Sequence, residues 1–211
     1  MKLNTAACIA ALVMSSVVIA YGATIATSND LDFIVGSGSN LSVLVIDFND
    51  GTSQSSFAWG YRWDGTATGQ DLLQAVSDAD SNLTFDSTSF VQTINYFDGT
   101  TQHSGVSDFG ADLSFTYALA GGFANTFNDM FEVIGDVAIE NGGIDLPTEY
   151  TLSPSGTAGR TLADGSWDAL SFGPFPTLPG PEAPQAALVP EPSVTGLFTV
   201  FLLFGVLRRK R

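Results

Sequence analysis

His103 is the only histidine in a chain of 211 residues that carries 22 acids and one cysteine, so nucleophilic or acid–base chemistry must form around it or around paired carboxylates. It sits in Thr101-Gln102-His103-Ser104-Gly105, a polar stretch without apolar alternation, and is therefore expected in an exposed loop. A Ser-His-Asp relay needs a positioned nucleophile, and no Gly-x-Ser-x-Gly elbow occurs. Glycoside hydrolysis needs two carboxyl groups about 5–10 Å apart. With 22 acids, spacing selects no particular pair. Asp78-x-Asp80-x-Asn82 copies the opening of a calcium loop, but Leu83 replaces the turn glycine and Ser89 the closing glutamate, so capping acids at a helix end are expected there. Gly36-Ser37-Gly38-Ser39 follows an apolar run without opening a helix, which makes it a turn and not a dinucleotide loop. The expectation is a chain that is not an enzyme, with no cofactor and no metal site.

The one pattern with binding potential is aromatic. Phe57, Trp59, Tyr61 and Trp63 alternate with Ala58, Gly60 and Arg62, which places four rings on one face of a strand. Such a face can stack on a sugar or another flat ligand. It can equally pack under a helix, and Arg62 marks the opposite face as polar, which favours packing. The helix is expected over 70–79: Thr68 and Asp71 have capping-box spacing, and Leu72, Leu73, Val76 and Ala79 repeat at helical intervals. Strands are expected at 31–35, 41–48, 57–63, 90–97, 112–119, 131–139 and 167–172, with Asn49-Asp50-Gly51, Asp98-Gly99, Asn141-Gly142-Gly143 and Asp164-Gly165 as turns. The 41–48 run is apolar on both faces, as in a central strand. The Gly-, Ser- and Thr-rich stretches 100–111 and 121–128 read as loops. The fold class is mainly β (α+β), an antiparallel sheet domain over 24–173 with one short packed helix.

Both ends carry a different kind of signal. Lys2, an apolar stretch over 6–20 and small residues after it form a secretory signal peptide over 1–22, and Cys8 lies inside it, leaving no thiol for disulfides or metals in the mature chain. Seven of the nine prolines fall within 174–192, which predicts a stiff, extended linker over 174–188. Without the terminal cations, Arg62 and Arg160 alone face all 22 acids, leaving the body at −20. Such a body repels nucleic acid, which is bound by cations that displace counterions. At the end stand Val189-Pro190-Glu191-Pro192-Ser193, an apolar run over 194–207 and Arg208-Arg209-Lys210-Arg211. That run would make a helix of about 21 Å, a short transmembrane anchor for a hydrocarbon core of about 30 Å, with its basic stop on the cytoplasmic side.

This order of Pro-Glu-Pro box, apolar helix and basic terminus over 189–211 resembles the PEP-CTERM sorting signal of Gram-negative bacteria. The resemblance implies secretion, processing by signal peptidase, recognition by an exosortase-like membrane protease, and delivery from a transient membrane anchor in the cell envelope to the cell surface or exopolysaccharide matrix. Extracellular polysaccharide is then a candidate partner in a structural or adhesive role, as in a biofilm. A looser resemblance spans 69–172. The helix at 70–79, Ile94-Asn95-Tyr96-Phe97-Asp98-Gly99, Phe115-Thr116-Tyr117 and Leu162-Ala163-Asp164-Gly165 are similar to the β-rich module that closes transcobalamin-like proteins. Phe115 stands where that family carries Trp. This resemblance implies the alternative of a ligand-binding module for a carbohydrate or cobalamin-like ligand.

Overall fold

The computed structural model describes residues 22–87, 90–124, 136–137, 140–153, 156–174 and 181–189. In chain order the strands are β1 (Ile34–Gly36), β2 (Asn40–Asp47), β3 (Ser56–Trp63), β4 (Leu83–Ser87), β5 (Val91–Phe97), β6 (Gln102–Val106), β7 (Leu113–Ala120), β8 (Gly122–Ala124), β9 (Asp136–Val137), β10 (Thr151–Leu152), β11 (Arg160–Thr161), β12 (Trp167–Pro174) and β13 (Gln185–Ala186). A single α-helix, α1 (Gly69–Ala79), lies between β3 and β4 among the described residues.

Seven strands form the main sheet in the order β1-β3-β2-β12-β7-β10, with β13 also paired to β3. It is mixed and not purely antiparallel as expected, because β1 and β13 run parallel to β3 and β12 parallel to β2. The parallel β2–β12 pair joins segments more than a hundred residues apart, a long-range contact that no local turn announces. β2 is central, as its two-faced apolar pattern predicts: Leu44 and Ile46 enter the cluster on the helix side, Val43 and Val45 the one on the opposite face. Two smaller antiparallel sheets, β4-β5-β6 and β11-β8-β9, complete the fold.

The helix forms where its cap predicts. Thr68 Oγ1 accepts from Asp71 N at 3.1 Å and Asp71 Oδ2 accepts from Thr68 N at 2.8 Å, a complete capping box. Leu72, Leu73 and Val76 are fully buried against Trp59, Trp63 and, from the small sheet, Ile94 and Tyr96.

Three expectations are corrected. The stretch 100–111 contains β6, paired along Thr93↔Val106 to Phe97↔Gln102. Its alternation is real, with His103 and Gly105 inward, but neither inward residue is an apolar marker. Gly105 is required there, because a Cβ would run into the Phe115 ring. The stretch 121–128 begins with β8. The segment read as a linker is partly docked: Ala187 N donates to Ala58 O at 3.0 Å, Glu182 N to Asp47 Oδ2 at 2.9 Å, and Ala186 and Ala187 are buried. Residues 185–189 have no proline, so their N–H groups can join a sheet. Most of the strand expected at 131–139, the signal peptide before Gly22 and the sorting segment after Val189 lie outside the described residues. Among the described residues no helix is long and apolar enough to cross a membrane.

Candidate functional site

Three polar arrangements stand out, and the first is built on His103. The turns after β2 and β5 both contain Asp-Gly-Thr, at Asp50-Gly51-Thr52 and Asp98-Gly99-Thr100. In each, the aspartate Oδ1 accepts from the threonine two residues on, through both its N–H and its hydroxyl. Each Oδ2 then meets one nitrogen of His103, Asp50 at 2.7 Å from Nδ1 and Asp98 at 3.2 Å from Nε2. Burial alone would raise both carboxyl pKa values. The hydrogen bonds from Thr52, or from Thr100 and Thr101, together with those from His103, outweigh it and hold both below the ordinary value. The ring is 1% exposed and packs between Phe57 and Phe48, with centroids at 4.9 and 5.6 Å. This overturns the reading of His103 as an exposed loop residue. A neutral imidazole has one N–H and a protonated one has two, so the ring donates to both carboxylates at once only in its protonated form. Neither nitrogen is left to take a proton from a nucleophile, and the cluster ties a turn of the main sheet to a turn of the small one.

Arg160 and Asp168 form the second arrangement. Both are fully buried. Arg160 Nη2 is 2.9 Å from Asp168 Oδ1, and its other donors reach the carbonyls of Gly121 and Thr161. The Tyr117 hydroxyl donates to Asp168 Oδ2, and burial first, then the Asp168 charge, pushes the phenol pKa far up. The planar guanidinium thereby joins β7, β11 and β12 in one network. Its distribution over residues 117, 121, 160 and 168 explains why spacing could not reveal it.

The third arrangement is open. A groove of about 530 Å³ runs between α1 and the β1 and β3 ends, lined among others by Ser37, Tyr61, Asp64, Asp71, Gln74 and Asp78. Residues 71, 74, 75 and 78 share one helical face. Of the four alternating aromatics, Phe57, Trp59 and Trp63 are buried in the core cluster that takes in Leu72, Leu73 and Val76 of α1, and Tyr61 alone is partly exposed, on this groove. Trp59 Nε1 donates to Asp80 Oδ2 at 3.0 Å and Trp63 Nε1 to Ser42 Oγ at 3.1 Å. Asp80 therefore turns inward, where burial raises its pKa against those bonds, while Asp78 accepts from Gln74 on the surface. The two acids of the calcium-like motif point to different places. No group of three or more metal-ligating side chains occurs among the described residues.

The residues that carry the transcobalamin-like resemblance fall on β5 (Ile94 to Phe97), on β7 (Phe115 to Tyr117) and on the turn before β12 (Asp164, Gly165). Val189 is exposed, while Pro190, Glu191, Pro192, Ser193 and the basic stop Arg208 to Arg211 lie outside the described residues. The class defined is a mainly β domain whose buried charged side chains are hydrogen-bonded within the fold and whose open polar surface is a groove beside one helix. No family model, no curated protein and no solved structure matches the chain.

Proposed function

We propose that this is a secreted protein of a Gram-negative cell envelope, held transiently in the membrane by its C-terminal helix and sorted by an exosortase-like protease to the cell surface or matrix, where it acts structurally or adhesively and not as an enzyme. The observation that carries this reading is the fixed order of Pro190-Glu191-Pro192, apolar run and Arg208-Arg209-Lys210-Arg211 behind an acidic body with a signal peptide before it. The structure lends support at one point. The groups best suited to chemistry, His103 and the Arg160–Asp168 pair, have their polar atoms engaged within the fold. A matrix setting also suits a body at −20, which resists self-association and nucleic-acid binding.

The test replaces Pro190, Glu191 and Pro192 by Ala in a host with the matching protease. The wild-type chain is expected to lose its C-terminal helix, and the variant to remain uncut and membrane-bound. Equal mature masses for the two would refute the assignment.

A further inference from the structure

The groove beside α1 has a composition that selects its ligand. Tyr61 presents part of a ring: Gly36, at φ +74°, lies against that ring without a side chain to cover it, and any Cβ there would stand about 3.0 Å from a Tyr61 ring carbon. Opposite, the helix offers Asp71, Gln74 and Asp78 with the small Ala75 between them. Asp71 uses Oδ2 for the helix cap, Asp64 uses Oδ1 for Ser39, and Asp78 uses Oδ1 for Gln74. Each carboxylate thus keeps a second oxygen for an incoming donor. The site combines an apolar ring face, three carboxylate acceptors, a carboxamide and a single guanidinium, Arg62, in a concavity of ligand size, since pockets for small ligands span about 300–1,000 Å³.

We propose that this groove binds a neutral oligosaccharide, with a sugar ring set against Tyr61 and its hydroxyls donating to Asp71 and Asp78. Sugar hydroxyls are the donors that carboxylate acceptors require, and the C–H face of a pyranose matches an aromatic ring. Acidic glycans are disfavoured because the three groove carboxylates outnumber the one lining cation, Arg62, and because the body stands at −20. This deepens the adhesive reading and rests on it for its biological setting alone, because sorting is measured by the mature mass and binding by titration.

The experiment titrates the purified full chain in detergent, at physiological salt, with cello-, malto- and manno-oligosaccharides and with oligogalacturonate as the acidic control. Calorimetry and tryptophan fluorescence serve as readouts, since Trp63 lines the groove. At least one neutral oligosaccharide is expected to bind and the acidic one not to. Ala75→Trp, which fills the groove, should abolish binding. Gln74→Ala and Asp78→Ala should each weaken it by about tenfold, the worth of one hydrogen-bonding group, with melting temperatures unchanged because both residues are exposed. Failure of all three neutral probes at about 10 mM, a range that detects even very weak complexes, would overturn the proposal. So would binding of oligogalacturonate alone, or wild-type binding by both Gln74→Ala and Asp78→Ala.

Discussion

Replacing His103 by Phe removes the imidazole nitrogens between Asp50 and Asp98 while keeping a ring against Phe48 and Phe57. Two carboxylates would then face each other across a site that no longer supplies a donor. Removing one partner of a fully buried ion pair costs about 3–5 kcal/mol. Here the aspartates are 22% and 14% exposed, so water recovers part of their solvation and about 2–3 kcal/mol is expected. For a domain of this size that lowers Tm by about 5–10 °C. The decisive measurement is a double-mutant cycle by chemical denaturation. In the wild-type background Asp50→Asn should destabilise, because it weakens a bond to the ring and the Thr52 turn. In the His103→Phe background the same change should stabilise, because it relieves the repulsion from Asp98. Additive effects of the same sign in both backgrounds would refute the picture of the His103 ring bridging two turns.

Two further outcomes follow from the same geometry. Trp59→Ala should cost about 3–5 kcal/mol, since the side chain is fully buried and Asp80 would lose its indole donor; a folded Trp59→Ala variant within about 1 kcal/mol of wild type, below that range, would show that the aromatic strand is not core. Asp50 and Asp98 have folded pKa values below their unfolded ones, so their contribution is complete above the unfolded carboxylate value of about 4 and is lost as pH falls through the folded values. Acid titration of the wild type followed by circular dichroism should show this loss, and Asp50→Asn/Asp98→Asn should flatten it; an unchanged acid limb in the double variant would remove these two carboxylates from the explanation.

The parts of this fold that were legible in the sequence share a local physical signature. Thr68 and Asp71 announce the helix because a cap operates over three residues, and Leu44, Val45 and Ile46 announce a central strand because burial on both faces leaves no polar alternation. The missed elements lack such a signature. In β6 the inward positions are a histidine and a glycine, so hydropathy sees a polar loop, although His103 is held by two aspartates and Gly105 by a phenylalanine ring. One signal could have drawn attention to the site: Asp-Gly-Thr occurs at 50–52 and again at 98–100, and identical turns with a lone histidine nearby invite the question of whether both bind it. β13 was hidden differently, because the surrounding prolines describe an extended chain whether or not it finds a strand to pair with.

The acidity of the body takes on a more specific meaning once its two cations are located. Arg160 is enclosed and paired with Asp168, whereas Arg62 stays at the surface and forms no ion pair with any described residue. The fold thus pairs one guanidinium with the buried Asp168 and one imidazole with the part-exposed Asp50 and Asp98, holds the buried Asp47 and Asp80 by neutral donors, and leaves most other described carboxylates at the surface. Long-range repulsion then discourages contact with anionic partners, while short-range acceptors remain available to hydroxyl donors. On such a surface, specificity for an uncharged partner can come from a small concavity such as the groove beside α1, where Tyr61 supplies apolar contact and the helix supplies acceptors. A neutral glycan is the partner for which these two properties, a repulsive field at distance and free acceptors at contact, do not oppose each other.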